Sequence, residues 1–185
     1  MMKTRILFLA ALLTVVSAGA ALDPSNKLIQ FLLDLQKGLE PEQEYVIPEA
    51  DLNEYLKHEA ETRRISAVRE ISVRLYEGAF ETDILVDADQ LDLSDSMSGK
   101  LLGSMLSGDQ EIFLRGTLTT QDRKVLYETE AASLNGVELP PSMIDLLLRS
   151  LGQQQDPPID PTRPVPLPAG VQDLQLLDGK VVIRS

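Results

Sequence analysis

From Ile71 onward, apolar residues recur at every second position: Ile71, Val73 and Leu75, then Phe80, Thr82, Ile84 and Val86 beyond a turn at Glu77-Gly78. A period of two puts one set of side chains on one face of an extended strand, so this stretch is a hairpin with one apolar face. The pattern returns as Ile112, Leu114, Gly116 and Leu118, then, past a turn near Gln121-Asp122, as Val125, Tyr127, Thr129 and Ala131. Asn135-Gly136 marks a further turn before a strand that ends at Leu139, ahead of Pro140-Pro141. Asp178-Gly179 joins Val171–Leu177 to Lys180–Ile183. Such dipeptides supply the positive φ angles that tight hairpins need. The chain is thereby committed to antiparallel pairing, and each hairpin needs cover for its apolar face.

The cover is encoded as helices. Asp23-Pro24 reads as a cap followed by a first-turn proline, with Leu28, Phe31, Leu32 and Leu35 at helical spacing and Gly38 as the stop. Glu42–Ile47 reads as a short strand. Pro48 opens a second helix to about Arg63, whose narrow apolar stripe is Leu52, Tyr55, Leu56 and Ala60. Ser142 caps a third helix, with Met143, Leu146, Leu147 and Ser150 on one face and Gly152 at its end. Met97–Leu106 is apolar but interrupted by Gly99 and Gly103, as in a short helix or an apolar flap. Residues 153–170 are rich in proline and favour extended backbone. The expectation is an α+β fold: a curved antiparallel sheet of about six or seven strands packed on two or three amphipathic helices.

The first twenty residues form a leader. Lys3 and Arg5 precede an apolar run from Ile6 to Val16, and Ser17-Ala18-Gly19-Ala20 has the small-x-small pattern of a signal-peptide cleavage site. The run is short of the roughly 20 residues of a membrane span, although an uncleaved anchor is the alternative. Cleavage after Ala20 leaves residues 21–185 as a single domain, periplasmic or secreted. The chain has no cysteine, which excludes disulfides and thiolate chemistry and fits a bacterial envelope protein held together by its own core. It carries 17 basic and 29 acidic residues, a formal charge of −12. Loss of Lys3 and Arg5 with the leader makes it more acidic still, so nucleic acid is not an expected partner and anionic membranes gain nothing by charge.

No catalytic or metal constellation is legible. His58 begins His58-Glu59-Ala60-Glu61-Thr62, where a helical zinc site needs a second histidine in place of Thr62. Asp87, Asp89, Asp92 and Asp95 crowd one connection, but an EF-hand loop would put Leu91, Asp92 and Ser98 at its fifth, sixth and twelfth positions. No nucleophile elbow or phosphate-binding glycine loop is present. The reading is of a protein that is not an enzyme and takes no cofactor.

What remains is apolar: Met97, Leu101, Leu102, Met105 and Leu106, and Met143, Ile144, Leu147 and Leu148. Methionine and leucine on glycine-broken segments adapt to variable ligand shapes. Asp51-Leu52-Asn53-Glu54-Tyr55-Leu56, the hairpin from Val73-Arg74-Leu75 to Leu85-Val86-Asp87, Arg115-Gly116-Thr117-Leu118, and Leu134-Asn135-Gly136-Val137-Glu138-Leu139-Pro140 carry a resemblance. From Pro48 to Ser185 the chain resembles small exported bacterial proteins similar to the tubular lipid-binding (TULIP-like) superfamily. The resemblance implies a long sheet wrapped on a helix around an apolar groove, and a lipid-binding or lipid-shuttling role. Val73, Leu75, Ile84, Val86, Leu114 and Leu118 would then line the sheet side of the groove. Met97, Leu101, Met105, Met143 and Leu147 would cover or gate it. The alternative is an interaction module of the envelope with a closed core, docking an envelope protein through Pro157–Pro168.

Overall fold

The structure, a computed structural model, describes residues 25–39, 42–62, 68–90, 107–145, 160 and 163–185. Residues 1–20, expected to form a leader, the Met97–Leu106 segment, Leu147 and much of the proline-rich stretch lie outside the described residues.

Asparagine at position 26 starts the first helix, α1 (Lys27–Lys37): its Oδ1 accepts from the Leu28 and Ile29 amides at 3.0 and 3.2 Å. That cap stands in the place expected for Asp23, and it does a second job. Its Nδ2 donates to the Asp51 carbonyl and the Glu54 carboxylate at 3.0 and 2.8 Å, which fastens α1 to the next helix. Leu28, Phe31 and Leu32, spaced to share a face, are fully buried. Strand β1 (Glu44–Pro48) runs directly into helix α2 (Glu49–Thr62), so Pro48 closes the strand instead of opening the helix. The stripe of Leu52, Tyr55 and Leu56 faces the core, as its spacing predicts.

Two hairpins follow: β2 (Val68–Tyr76) with β3 (Ala79–Asp87), and β4 (Asp109–Gln121) with β5 (Lys124–Leu134). The turn at Asn135-Gly136, with φ of 49° and 77°, leads into β6 (Val137–Glu138). All pair antiparallel in the order β2-β3-β4-β5-β6, and β7 (Val165–Pro166) adds to β5 at its start. A separate sheet has the order β1-β9-β8, built from β8 (Asp173–Leu177), β9 (Lys180–Arg184) and β1. The α+β class and the antiparallel pairing therefore stand as the alternation predicts. The division into a six-stranded and a three-stranded sheet is new information.

Edge strand β2 is finished by side chains. Asn53 on α2 accepts from the Val73 amide at 2.7 Å and donates to the Val73 carbonyl at 2.8 Å, taking the place of a neighbouring strand. Two residues on, the Leu75 amide donates to Glu49 at 2.6 Å and the Leu75 carbonyl accepts from Gly179 of the β8-β9 turn at 3.1 Å. The main core lies where these elements meet, with Leu28, Phe31, Tyr55, Val73, Leu118 and Ile183 among its members.

One position departs from strict alternation. Glu130 is an extra residue on β5, opposite the step from Arg115 to Gly116. The bulge turns Ala132 inward, 2% exposed, and puts Ala131 beside Arg115 on the outer face, where alternation alone had it inward. Gly116 lies beneath the Tyr127 ring, which stacks on Phe80 at 5.6 Å. A Cβ at 116 would fall 2.6 Å from the Glu128 carbonyl and 2.7 Å from the ring. On the outer face, Arg74 pairs with Asp83 and Arg115 with Glu130, each at 3.1 Å, as solvated pairs of small individual worth.

Two substitutions test this frame by urea unfolding. Gly116→Ala should cost about 1–3 kcal/mol, because backbone and ring must both give way. Asn53→Ala should cost a similar ~1–3 kcal/mol by leaving the Val73 amide and carbonyl unpaired.

Candidate functional site

The inward face of the larger sheet divides into a filled part and a part with access. Val73, Leu75 and Leu118 belong to the main core, packed with Leu52, Tyr55 and Phe31. Ile84 and Val86 form a second cluster with Val68 and Ile112. Those five expected groove residues are all 4% exposed or less, each against side chains of the protein itself. Leu114 and Met143 differ: both are half-buried, and both pack on a third cluster of Ala132, Leu139 and Ile144. Leu101, Met105 and Leu147 lie outside the described residues.

The third cluster is built by a sharp return of the chain. After the Asn135-Gly136 turn, the Leu139 amide donates to the Ala132 carbonyl at 2.9 Å. Pro140 then presents its carbonyl to the Met143 and Ile144 amides, opening a helical turn over residues 141–145. Ser142 therefore sits inside this turn and does not cap it. Between the turn and β5 lies a cleft of about 590 Å³. It is lined by the apolar residues Ala132, Leu139, Ile144 and Tyr127 together with Thr129 and the carboxylates of Glu128, Glu130, Glu138 and Asp145. Among the described residues, no strand pairs with residues 126–131 on this side of β5. Burial pushes the Tyr127 phenol above its usual range, against the opposing effect of a hydrogen bond with Thr129.

From Ala132 the strand register continues into the sheet. Ala132 stands opposite Leu114, Leu114 opposite Thr82, and Thr82 opposite Val73, all on the inward face. Thr82 is 1% exposed, and its Oγ1 has no hydrogen-bond partner. A buried hydroxyl left this way costs about 1–3 kcal/mol, so its presence in an otherwise apolar row calls for an explanation. A second, smaller groove of about 450 Å³ lies where Ser72, Asp83 and Ser133 adjoin Phe113.

The residues flanking the 91–106 segment are tied together. Asp87 and Asp109 face each other across β3 and β4, and Arg69 bridges them at 2.8 and 2.7 Å. Gln90 also donates to Asp87 at 2.8 Å, and the Ala88 amide donates to the Gly108 carbonyl at 2.8 Å. The Asp87 carboxyl is held below its usual range, chiefly by the Gln90 hydrogen bond and then by Arg69 and the Asp89 amide, against partial desolvation. Within the described residues no group of three or more metal-binding side chains comes together, and His58 lies half-buried on α2.

A scan against protein-family models gives no match, and no curated protein is significantly similar in sequence. No helix among the described residues is long and apolar enough to cross a membrane.

A depressed carboxyl pKa stabilises the fold above the unfolded value of about 3.9, and that stability is lost as pH falls through the folded value. Wild-type protein should therefore lose stability as pH drops below about 4, in part through Asp87. The Asp87→Asn variant should be less stable at pH 7 and show a shallower acid decline in thermal melts.

Proposed function

We propose that the protein binds an acyl chain in the cleft between β5 and the 141–145 turn, and that it acts as a non-enzymatic lipid carrier of the bacterial envelope. The observation that carries this reading is the cleft of about 590 Å³ beside β5, where the apolar cluster of Ala132, Leu139 and Ile144 comes to the surface next to Tyr127. That volume falls within the range of roughly 300–1,000 Å³ typical of small-molecule sites. Each methylene buried there contributes about 0.8 kcal/mol, so a chain needs no elaborate polar recognition to be held. The leader pattern at residues 1–20 supports delivery outside the cytoplasm, where lipids must cross water between membranes.

The acidic surface bears on how a carrier would work. A protein of charge −12 with carboxylates at the mouth of its cleft gains nothing from anionic headgroups. Uptake then rests on apolar burial, and the empty carrier does not stay on the membrane. The described part of the proline-rich stretch favours this reading over docking through that stretch. Val165 and Pro166 are paired to β5, and Leu167 is 7% exposed in the main core.

Binding of pyrene-decanol, followed by fluorescence, tests the proposal. Wild type should take up one equivalent. Ile144→Asp, or Thr129→Trp placed to fill the cleft from its open side, should weaken uptake by at least about ten-fold, the equivalent of losing some two buried methylenes. Undiminished uptake by both variants, with unchanged circular dichroism, would exclude this cleft.

A further inference from the structure

An open stretch of strand edge faces the cleft. β7 pairs with β5 at Lys124 and Val125, and β6 pairs with it at Ser133 and Leu134. Among the described residues that leaves 126–131 without a neighbour on this side, a gap of about 20 Å at the usual strand rise. Backbone groups along an antiparallel strand point to alternate sides. At one end of the gap the Arg123 carbonyl points to this side and accepts from the Leu167 amide at 2.9 Å. Alternation from Arg123 turns the N–H and C=O groups of Tyr127 and Thr129 the same way, against the cleft that both residues line. The extra residue Glu130 then brings the Ala132 carbonyl into phase, where it accepts from Leu139. The cleft adds charge to these backbone groups. Of the carboxylates that line it, Glu130 is paired with Arg115, while Glu128, Glu138 and Asp145 have no ion pair among the described residues, and no lysine or arginine is part of the lining.

We infer that the ligand of this cleft is an N-acylated basic peptide, whose acyl chain lies on Ala132, Leu139 and Ile144 and whose extended backbone adds a strand to β5 at Tyr127 and Thr129. The inference rests on the acyl-chain reading and adds to it a headgroup class and a direction. The apolar cluster sits at the β6 end of the gap, toward which β5 runs. A strand added antiparallel, as every other pair in this sheet, therefore begins at that end, which places the acyl group on the peptide's N-terminus. Main-chain hydrogen bonds give such a strand its affinity, and the carboxylates select lysine or arginine in it. β6 and β7 close the two ends, so the added strand is short. A second copy of this chain is a poor occupant, because β5 paired with itself would bring Glu128 and Glu130 near their own copies.

The chain has no tryptophan, so fluorescence anisotropy of probes that each end in one reads the ligand alone. The probes are N-lauroyl-Lys-Val-Lys-Val-Lys-Trp amide, its acetyl analogue, its counterpart with Glu for Lys, and N-lauroyl-Trp amide, each below its micelle threshold. Two further versions of the lysine peptide are N-methylated on one or the other alternating set of amides. Wild type should bind the lauroyl lysine peptide at least about ten-fold more tightly than N-lauroyl-Trp amide, the scale of two net hydrogen bonds. One N-methylated version should lose that gain and the other keep it, because the two edges of an added strand are inequivalent. The double variant Glu128→Gln, Glu138→Gln should narrow the preference for the lysine over the glutamate peptide. Equal affinity of the two N-methylated versions would overturn the added strand and leave the acyl chain in its cleft. A glutamate peptide bound as tightly as the lysine peptide would overturn the basic class. An acetyl peptide bound as tightly as its lauroyl form would overturn the acyl-chain reading and the acylated ligand with it. If wild type takes up neither the lauroyl lysine peptide nor N-lauroyl-Trp amide, both fall.

Discussion

The architecture depends on how one strand edge is closed. An unpaired edge is a template for aggregation, and β2 is the first strand of the larger sheet. The side chains of Asn53 and Glu49, one turn apart on α2, occupy its backbone groups at Val73 and Leu75. The same residues of β2 meet the β8-β9 turn, where Gly179 binds the Leu75 carbonyl and the Glu49 amide in turn binds the Gly179 carbonyl. Helix, large sheet and small sheet thus share one set of hydrogen bonds. The main core forms in the angle between them, which is why Tyr55, Val73 and Ile183 are neighbours despite their separation in sequence.

This closure also decides where space is left. The helices α1 and α2 and the small sheet cover the inward face near β2, so Val73 and Leu75 are spent on stability. At the far side, near β5, the described cover is Leu139 and Ile144 with the helical residues 141–145, and Leu114 is half-buried. A sheet covered this unevenly can be rigid at one margin and receptive at the other.

Local structure was well written in the sequence. Alternation with Glu77-Gly78, Asn135-Gly136 and Asp178-Gly179 placed the hairpins, because the period and the turn chemistry are both local properties. The bulge at Glu130 was not legible, since an extra residue leaves the composition of the strand unchanged while reversing the faces of Ala131 and Ala132. Nor was the partner of β1 legible. Glu44 meets Arg184 across the whole chain, and no short-range signal spans that distance. Of the groove residues expected on the inward face, the side of the sheet was readable from the period. Whether Val73 or Leu114 would be covered depended on where α2 docks, a tertiary matter. Thr82 did leave a trace, as a hydroxyl in an otherwise apolar alternating file.

The small sheet is held by a strand far in sequence from its first. β9 separates β1 from β8, and Ser185 is bonded in both directions to Gln43, at 3.0 Å through each amide. Val181 and Ile183, from β9, are fully enclosed in the main core. The local hairpins can therefore close on their own, yet the principal core stays open until β9 has met β1. Long-range pairing of this kind pays its loop entropy before any reward. The docking of the β8-β9 hairpin on β1 is in this sense the step that joins a set of local hairpins into one core.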